Sequence, residues 1–100
     1  MNEIIKNLSK VLKTVRIAHG LTQKEASKKI GISAGYLCEL EYGKKTITLS
    51  ILIRFAELFQ IEAYRLLWIS STANFKKWNG SLNSLALLDE KTLTLLQVRT

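Results

Sequence analysis

The chain of 100 residues contains no proline, a single cysteine and no long uncharged apolar segment. Because proline interrupts helices, its absence favours an all-helical chain with compact turns. Cys38 has no partner in the chain for a disulfide, which favours a reducing compartment. The N-terminal residues 1–6 lack the apolar core of a signal peptide. The most apolar run, residues 49–59, includes Arg54 and Glu57 and is too short to span a bilayer. We therefore expect a soluble cytoplasmic protein that makes no membrane contact.

Groups of side chains typical of catalytic and metal sites are also missing from the sequence. The lone His19 has no second ligand at metal spacing. No Ser/His/Asp or Cys/His set, phosphate-binding glycine loop or obvious pair of carboxylates is evident. Cys38 is better explained as a plain small residue than as an oxidation-sensitive site. These observations predict a protein that is not an enzyme and that has no metal or other cofactor.

The charge of the chain is strongly positive and unevenly distributed. The formal net charge is +7, and the sequence pI is about 9.8. The first fifty residues carry nine Lys and Arg against four acidic residues, whereas the second fifty carry six against four. A concentration of positive charge in one half is typical of a protein that binds a polyanion. The alternative explanation is that the charge only maintains solubility.

The segment 21–33 predicts two short helices joined by a tight turn. Thr22 is a suitable N-cap, and Glu25 three residues later completes a capping box. Gly31 can adopt the left-handed conformation that ends a helix, and Ser33 can cap the next one. This arrangement is that of a helix-turn-helix, in which the second helix enters the major groove of DNA.

The rest of the chain predicts three further helices and a separate C-terminal extension. The first helix runs from about residue 7 to about 18, a fourth follows the N-cap candidate Thr48, and a fifth starts near Glu62. Residues 70–74 have the composition of a connector. We expect a DNA-binding domain at residues 1–69 and an extension at residues 70–100 that serves dimerisation or partner binding.

Between Arg16 and Leu67 the chain resembles the Cro/phage-repressor type of helix-turn-helix domain, the XRE family. Several short motifs match the pattern of that family in register and without a gap. The resemblance implies an all-α, lambda-repressor-like bundle of about five helices that binds double-stranded DNA as a homodimer on a two-fold symmetric operator. It implies a transcriptional regulator and an ion pair between Arg16 and Glu41, although Arg16 can instead be a solvated cation that contacts a DNA phosphate. Repression is the simplest outcome, and activation is equally compatible with the sequence. The matching residues are Arg16, Gly20-Leu21-Thr22-Gln23, Gly31-Ile32-Ser33, Tyr36-Leu37, Leu40-Glu41, Gly43-Lys44-Lys45, Leu49, Leu52, Ala56 and Leu66-Leu67.

The helix that would read the bases departs from the family pattern. Family members often have Gln, Ser or Arg at the outward positions that are here Ala34, Gly35 and Glu39. An alanine can touch only a thymine methyl group, a glycine offers its backbone alone, and a glutamate can accept a hydrogen bond from cytosine N4. We expect Ser33 and Tyr36 to contribute, and DNA shape to carry part of the specificity.

Five polar residues flank this helix and are candidates for contacts with the DNA backbone. The amide of a residue at a helix start can clamp a phosphate together with backbone N–H groups, and lysines just beyond the recognition helix can bind flanking phosphates. Alternatively, Gln23 is solvated or capping, Tyr42 simply packs, and the lysines are solvated. The candidates are Gln23, Lys24, Tyr42, Lys44 and Lys45.

The aromatic and leucine residues near the C-terminus exceed what a five-helix domain of this size needs. They predict a dimer or partner interface, although they can instead wrap over the chain's own core. Helical spacing fits Leu82 to Leu88, whereas residues 91–95 alternate as in a strand. If the chain were an antitoxin or an interaction module that retains the fold, the tail would bind a partner protein. The interface candidates are Trp68, Phe75, Trp78, Leu82 and Leu85.

Overall fold

A computed structural model describes residues 3–78, which form six α-helices and contain no strand. The predicted all-α fold class is confirmed. None of these helices is long and apolar enough to cross a membrane. The helices are α1 (Glu3–Ala18), α2 (Gln23–Ile30), α3 (Ala34–Glu41), α4 (Leu49–Phe59), α5 (Ala63–Ser70) and α6 (Thr72–Lys77).

The helix boundaries follow local signals in the sequence. Thr22 Oγ1 accepts a hydrogen bond from the Glu25 backbone N–H at 3.0 Å, and Glu25 Oε1 accepts one from the Thr22 N–H at 3.0 Å. This capping box begins α2, and Gly31 ends it with a left-handed φ of +88°. Thr48 caps α4 by accepting from the Ile51 N–H at 3.2 Å. The predictions of these starts and stops are confirmed.

Helix α1 is longer than the sequence predicted and lies at the centre of the fold. It begins at Glu3 rather than near residue 7, because Ile5 continues the apolar stripe toward the N-terminus. It contacts α3, α5 and α6. Its core-facing side chains pack with those of α4 and α5 into one apolar cluster, whose fully buried members include Val11, Val15, Phe55, Leu66 and Ile69. A single core therefore holds α1, α4 and α5 together.

A buried hydrogen bond also ties the two ends of the domain. The Asn7 side-chain amide donates to the Ser70 carbonyl oxygen at 2.9 Å, across 63 positions of sequence. The Ser70 hydroxyl donates back to the Leu66 carbonyl oxygen. These polar groups are satisfied inside the core, so the C-terminal end of α5 is fixed against α1.

Residues 70–74, predicted as a connector, instead contain the end of α5 and the start of α6. The short helix is held to its predecessor because the Asn74 amide donates to the Trp68 carbonyl oxygen at 3.1 Å and to the Ser71 hydroxyl at 2.8 Å. Phe75 and Trp78 are half-buried against the core, as is Trp68.

For those three aromatics the structure therefore shows the alternative of packing over the chain's own core. Their additional role at a dimer or partner interface stays a prediction. The other two interface candidates, Leu82 and Leu85, lie outside the described residues.

Candidate nucleic-acid interface

The N-terminal end of α3 presents small side chains on an open surface. Ser33, Ala34 and Gly35 are all exposed. The Ser33 hydroxyl oxygen accepts a hydrogen bond from the Tyr36 backbone N–H at 3.0 Å and so caps the helix. A Cβ atom added at Gly35 would meet no other atom within 4 Å. The helix backbone can therefore be approached closely from outside at this end.

The opposite face of α3 is anchored in the protein. Leu37 and Leu40 are each 1% exposed, which confirms that this pair faces inward. Tyr36 and Glu39, two of the predicted base-reading residues, are half-buried at the flanks of the helix. The structure thus exposes three of the five candidates fully and the other two in part.

Helices α2 and α3 pack closely because the residues between them are small. Ala26 is fully buried, and Ser27 is 3% exposed. The turn closes through hydrogen bonds from the Gly31 and Ile32 N–H groups to the Ser27 carbonyl oxygen, at 2.8 and 3.0 Å. This turn fixes the angle at which α3 leaves α2.

A buried ion pair sets the position of α3 relative to α1. Arg16 Nε donates to Glu41 Oε2 at 2.7 Å, and Arg16 Nη2 donates to Glu41 Oε1 at 2.9 Å. The two side chains are 9% and 1% exposed. A further guanidinium N–H donates to the Leu21 carbonyl oxygen at 2.8 Å. The fork-to-fork geometry is the strongest form of this contact, and it joins the end of α1, the start of α2 and the end of α3.

Gln23, a candidate for phosphate binding, also belongs to this network. Its Nε2 donates to Glu41 Oε1 at 2.9 Å. The sequence did not reveal this contact, because the two residues lie 18 positions apart and no periodicity links them. The amide carries a second N–H, so Glu41 can orient Gln23 while that second hydrogen is directed elsewhere.

The remaining backbone candidates lie on the surface around these elements. Lys24 is exposed in the first turn of α2. Tyr42, directly after α3, is 73% exposed. Lys44 and Lys45 follow it and are exposed, and the Lys44 N–H donates to the Glu39 carbonyl oxygen at 2.9 Å. This backbone bond folds the segment back against the end of α3, so Lys44 lies beside that end and Lys45 follows it.

The acidic residue at the start of α2 stays ionised to lower pH than usual. The hydrogen bond from the Thr22 backbone, and then that from the Thr22 side chain, lower the pKa of Glu25. Its charge is favoured at a helix N-terminus. Since the folded-state pKa is depressed, the stabilisation from this capping box is present above the unfolded pKa and is lost as the pH falls through the folded pKa.

Comparison with known proteins gives one family and a set of similar structures. The model of the helix-turn-helix family (HTH_3) matches residues 12–66, just over half of the chain. No curated protein sequence matches the chain.

Two crystal structures of the clp gene regulator ClgR from Corynebacterium glutamicum resemble it. Each is 23% identical in sequence, with TM-scores of 0.65 and 0.64. The first alignment covers 73% of this chain and 95% of that one, and the second covers 95% and 88%. At this identity the likeness concerns the fold.

Proposed function

This chain belongs to the XRE/Cro-type helix-turn-helix family, and on that premise we propose that it represses transcription as a homodimer bound to a two-fold symmetric operator. Membership of the family makes the chain a DNA-binding transcriptional regulator. The solved structures that it resembles are of a gene regulator, which agrees with this assignment. The observation that carries the proposal is an exposed recognition helix whose inner face is locked to the domain by a buried ion pair.

In the proposed complex, α3 lies in the major groove with its N-terminal end against the bases. The exposed methyl group of Ala34 would contact a thymine methyl, while Gly35 lets the helix backbone approach closely. Glu39 would accept a hydrogen bond from cytosine N4, and Ser33 and Tyr36 would add hydroxyl contacts. Because few long side chains would contact the bases, part of the sequence specificity would come from the shape and deformability of the DNA.

Contacts with the phosphates would surround this helix. The Gln23 amide, oriented by Glu41, would bind a phosphate at the start of α2. Lys24, at the same helix end, and Tyr42, Lys44 and Lys45, beside the end of α3, would bind others. These contacts would fix the register of the protein on the duplex without reading its sequence.

The homodimer follows from the size of one recognition helix and from exposed apolar surface. One helix contacts only a few base pairs, so useful specificity requires two half-sites about 34 Å apart. Four apolar residues of α4 and α5 are between 42% and 67% exposed, and we propose that they form part of the surface between the two subunits. They are Leu49, Ile53, Tyr64 and Leu67.

Selection of bound sequences from a random duplex pool tests the proposal. We expect the purified chain to recover a two-fold symmetric motif whose half-sites lie about one helical turn apart. A motif without symmetry would contradict the homodimer. Recovery of no motif by a folded protein would contradict the regulator and favour a protein-interaction module.

Salt dependence of the DNA affinity tests the phosphate contacts. We expect Lys44→Ala and Lys45→Ala each to make the negative slope of log K against log salt less steep by about 0.9, because each removes one phosphate contact and the counterion that it releases. Affinities are measured by fluorescence anisotropy on the selected duplex at several salt concentrations. Lys76→Ala, at an exposed position on α6, is the matched control and should leave the slope unchanged. Equal slopes for all three variants would refute the assignment.

A further inference from the structure

An apolar groove lies between the N-terminal half of α1, the loop before α4, and α5. Its volume is about 230 Å³. Only isoleucine, leucine, serine and threonine side chains line it, among them Leu8, Leu40, Ile47, Leu49 and Leu67. No charged side chain takes part. The groove therefore suits an uncharged apolar occupant, because a charged one would lose its hydration without a partner.

Exposed side chains at the margins of the groove show that it is partly open. Leu49 is 67% exposed and Leu67 is 42% exposed. Covering such side chains is favourable in proportion to the apolar surface that is removed from water. An occupant that filled the groove and covered both leucines would be stabilised by its contacts with the groove lining and by the burial of the two exposed side chains.

The chain itself contains a segment with the matching chemistry. Residues 79–88 include no charged residue, although 23% of the whole chain is charged. Leu82, Leu85 and Leu88 recur at a spacing of three, which would place them along one side of the segment if it were helical. We propose that the groove of one subunit binds the Leu82–Leu88 segment of a second copy of the chain. This inference rests on the proposed homodimer and names the surface that forms it.

The position of α6 favours a second copy over the same chain. The Lys10 ammonium lies 6.0 Å from the centre of the Phe75 ring, so α6 passes the Lys10 side of α1. At about 100° per residue, Lys10 is about 140–160° around α1 from the groove residues Ile5, Leu8 and Leu12. Phe75 of α6 therefore lies beside a face of α1 that is turned away from these three groove residues.

The distance along the chain supports the same choice. Leu82 is four residues beyond Trp78, which gives a reach of about 14 Å at most. A path around half of a helix with side chains, about 10–12 Å across, is about 16–19 Å long. By this measure the same chain cannot place Leu82 in the groove, although Leu85 and Leu88 are within reach, whereas a second subunit can place all three leucines there.

Occupation of the groove would link dimerisation to DNA binding. Leu40 belongs to the last turn of α3, and residues 46–48 follow directly on Lys44 and Lys45. A segment bound in the groove would pack against the end of the recognition helix and against the loop that leads away from the phosphate-binding lysines.

Disulfide formation between two differently substituted full-length chains tests the proposal. Both carry Cys38→Ser to remove the only native cysteine. One also carries Leu49→Cys, in the groove, and the other Leu85→Cys, in the segment. One of the two has a mass tag, and the mixture is oxidised mildly and separated on a denaturing gel. We expect the mixed disulfide dimer in clear excess over both symmetric dimers.

The matched control replaces Leu49→Cys by Ile17→Cys. Ile17 is 56% exposed and lies about 120–180° around α1 from the groove residues Ile5, Leu8 and Leu12, so it should give no such excess. A second check uses one chain that carries Leu49→Cys and Leu85→Cys together with Cys38→Ser. A disulfide within this chain, seen as a monomer that migrates faster without reductant, would show occupation by its own segment and overturn the proposal. Absence of any excess of the mixed dimer would overturn it too.

The result is independent of the DNA experiments. Selection of a symmetric motif without formation of the mixed dimer would support the proposed function and contradict the groove assignment. Formation of the mixed dimer without selection of any motif would support the groove assignment and contradict the proposed binding to an operator.

Discussion

Arg16→Ala is expected to lower the free energy of unfolding by about 3–5 kcal/mol, the range for breaking a buried ion pair by removal of one partner. The Glu41 side chain is only 1% exposed and accepts two hydrogen bonds from Arg16. Without the guanidinium, its charge would remain inside the protein, where it would still accept a hydrogen bond from the Gln23 amide. Urea unfolding followed by circular dichroism measures the change.

Two further variants separate the buried charge from general effects of the substitution. Arg54→Ala removes an exposed arginine from α4 and should change the stability by less than about 0.5 kcal/mol. The double variant Arg16→Met with Glu41→Leu removes both charges and should be more stable than Arg16→Ala, since apolar replacement of a whole buried pair is often neutral. A loss below about 1 kcal/mol for Arg16→Ala would mean that Glu41 finds water or another partner.

Phe55→Ala is expected to destabilise the domain by about 3–5 kcal/mol, because it leaves a cavity in the core. Phe55 is 1% exposed, and its ring centre lies 4.7 Å from that of Phe59 in a tilted arrangement. Phe59 in turn packs on the ring of His19 at the end of α1. The substitution would loosen the contact between α4 and α1 in addition to removing apolar contact area.

The same denaturation experiment provides the control on the same helix. Ile53→Ala, two residues away, truncates a side chain that is 42% exposed. Its expected cost is below about 1 kcal/mol, because little apolar surface is lost and no cavity forms. Equal losses for the two variants would contradict the division of α4 into a core face and an open face.

Features that depend on neighbouring residues were predictable from the sequence. The capping box of Thr22 and Glu25, the left-handed Gly31 and the cap of Ser33 each require only a few adjacent residues. The inward pair of Leu37 and Leu40 follows from helical spacing. For the Arg16–Glu41 pair, the resemblance to a family was needed, because the two residues are separated by 25 positions.

Features set by distant packing were not predictable. The bond from Asn7 to Ser70 depends on how α5 returns to α1. Helix α6 has only six residues, too few for a clear hydrophobic period. It is held in place by polar contacts with the end of α5, which the sequence pattern does not reveal. The candidate site shows the same division, since the exposed end of α3 was predicted and the orientation of Gln23 by Glu41 was not.

The open space around Gly35 has a consequence for how such a regulator changes over time. Because nothing lies within 4 Å of a Cβ added there, most other residues fit without disturbing the fold. Several would strengthen the helix, by up to about 1 kcal/mol for alanine relative to glycine. If α3 reads the bases as proposed, new side chains at Gly35, and at the neighbouring exposed Ala34, would alter which operator is bound while the ion pair of Arg16 and Glu41 keeps α3 in place. The protein is in this sense readily evolvable: operator preference can diverge between copies of the gene without an intervening loss of stability.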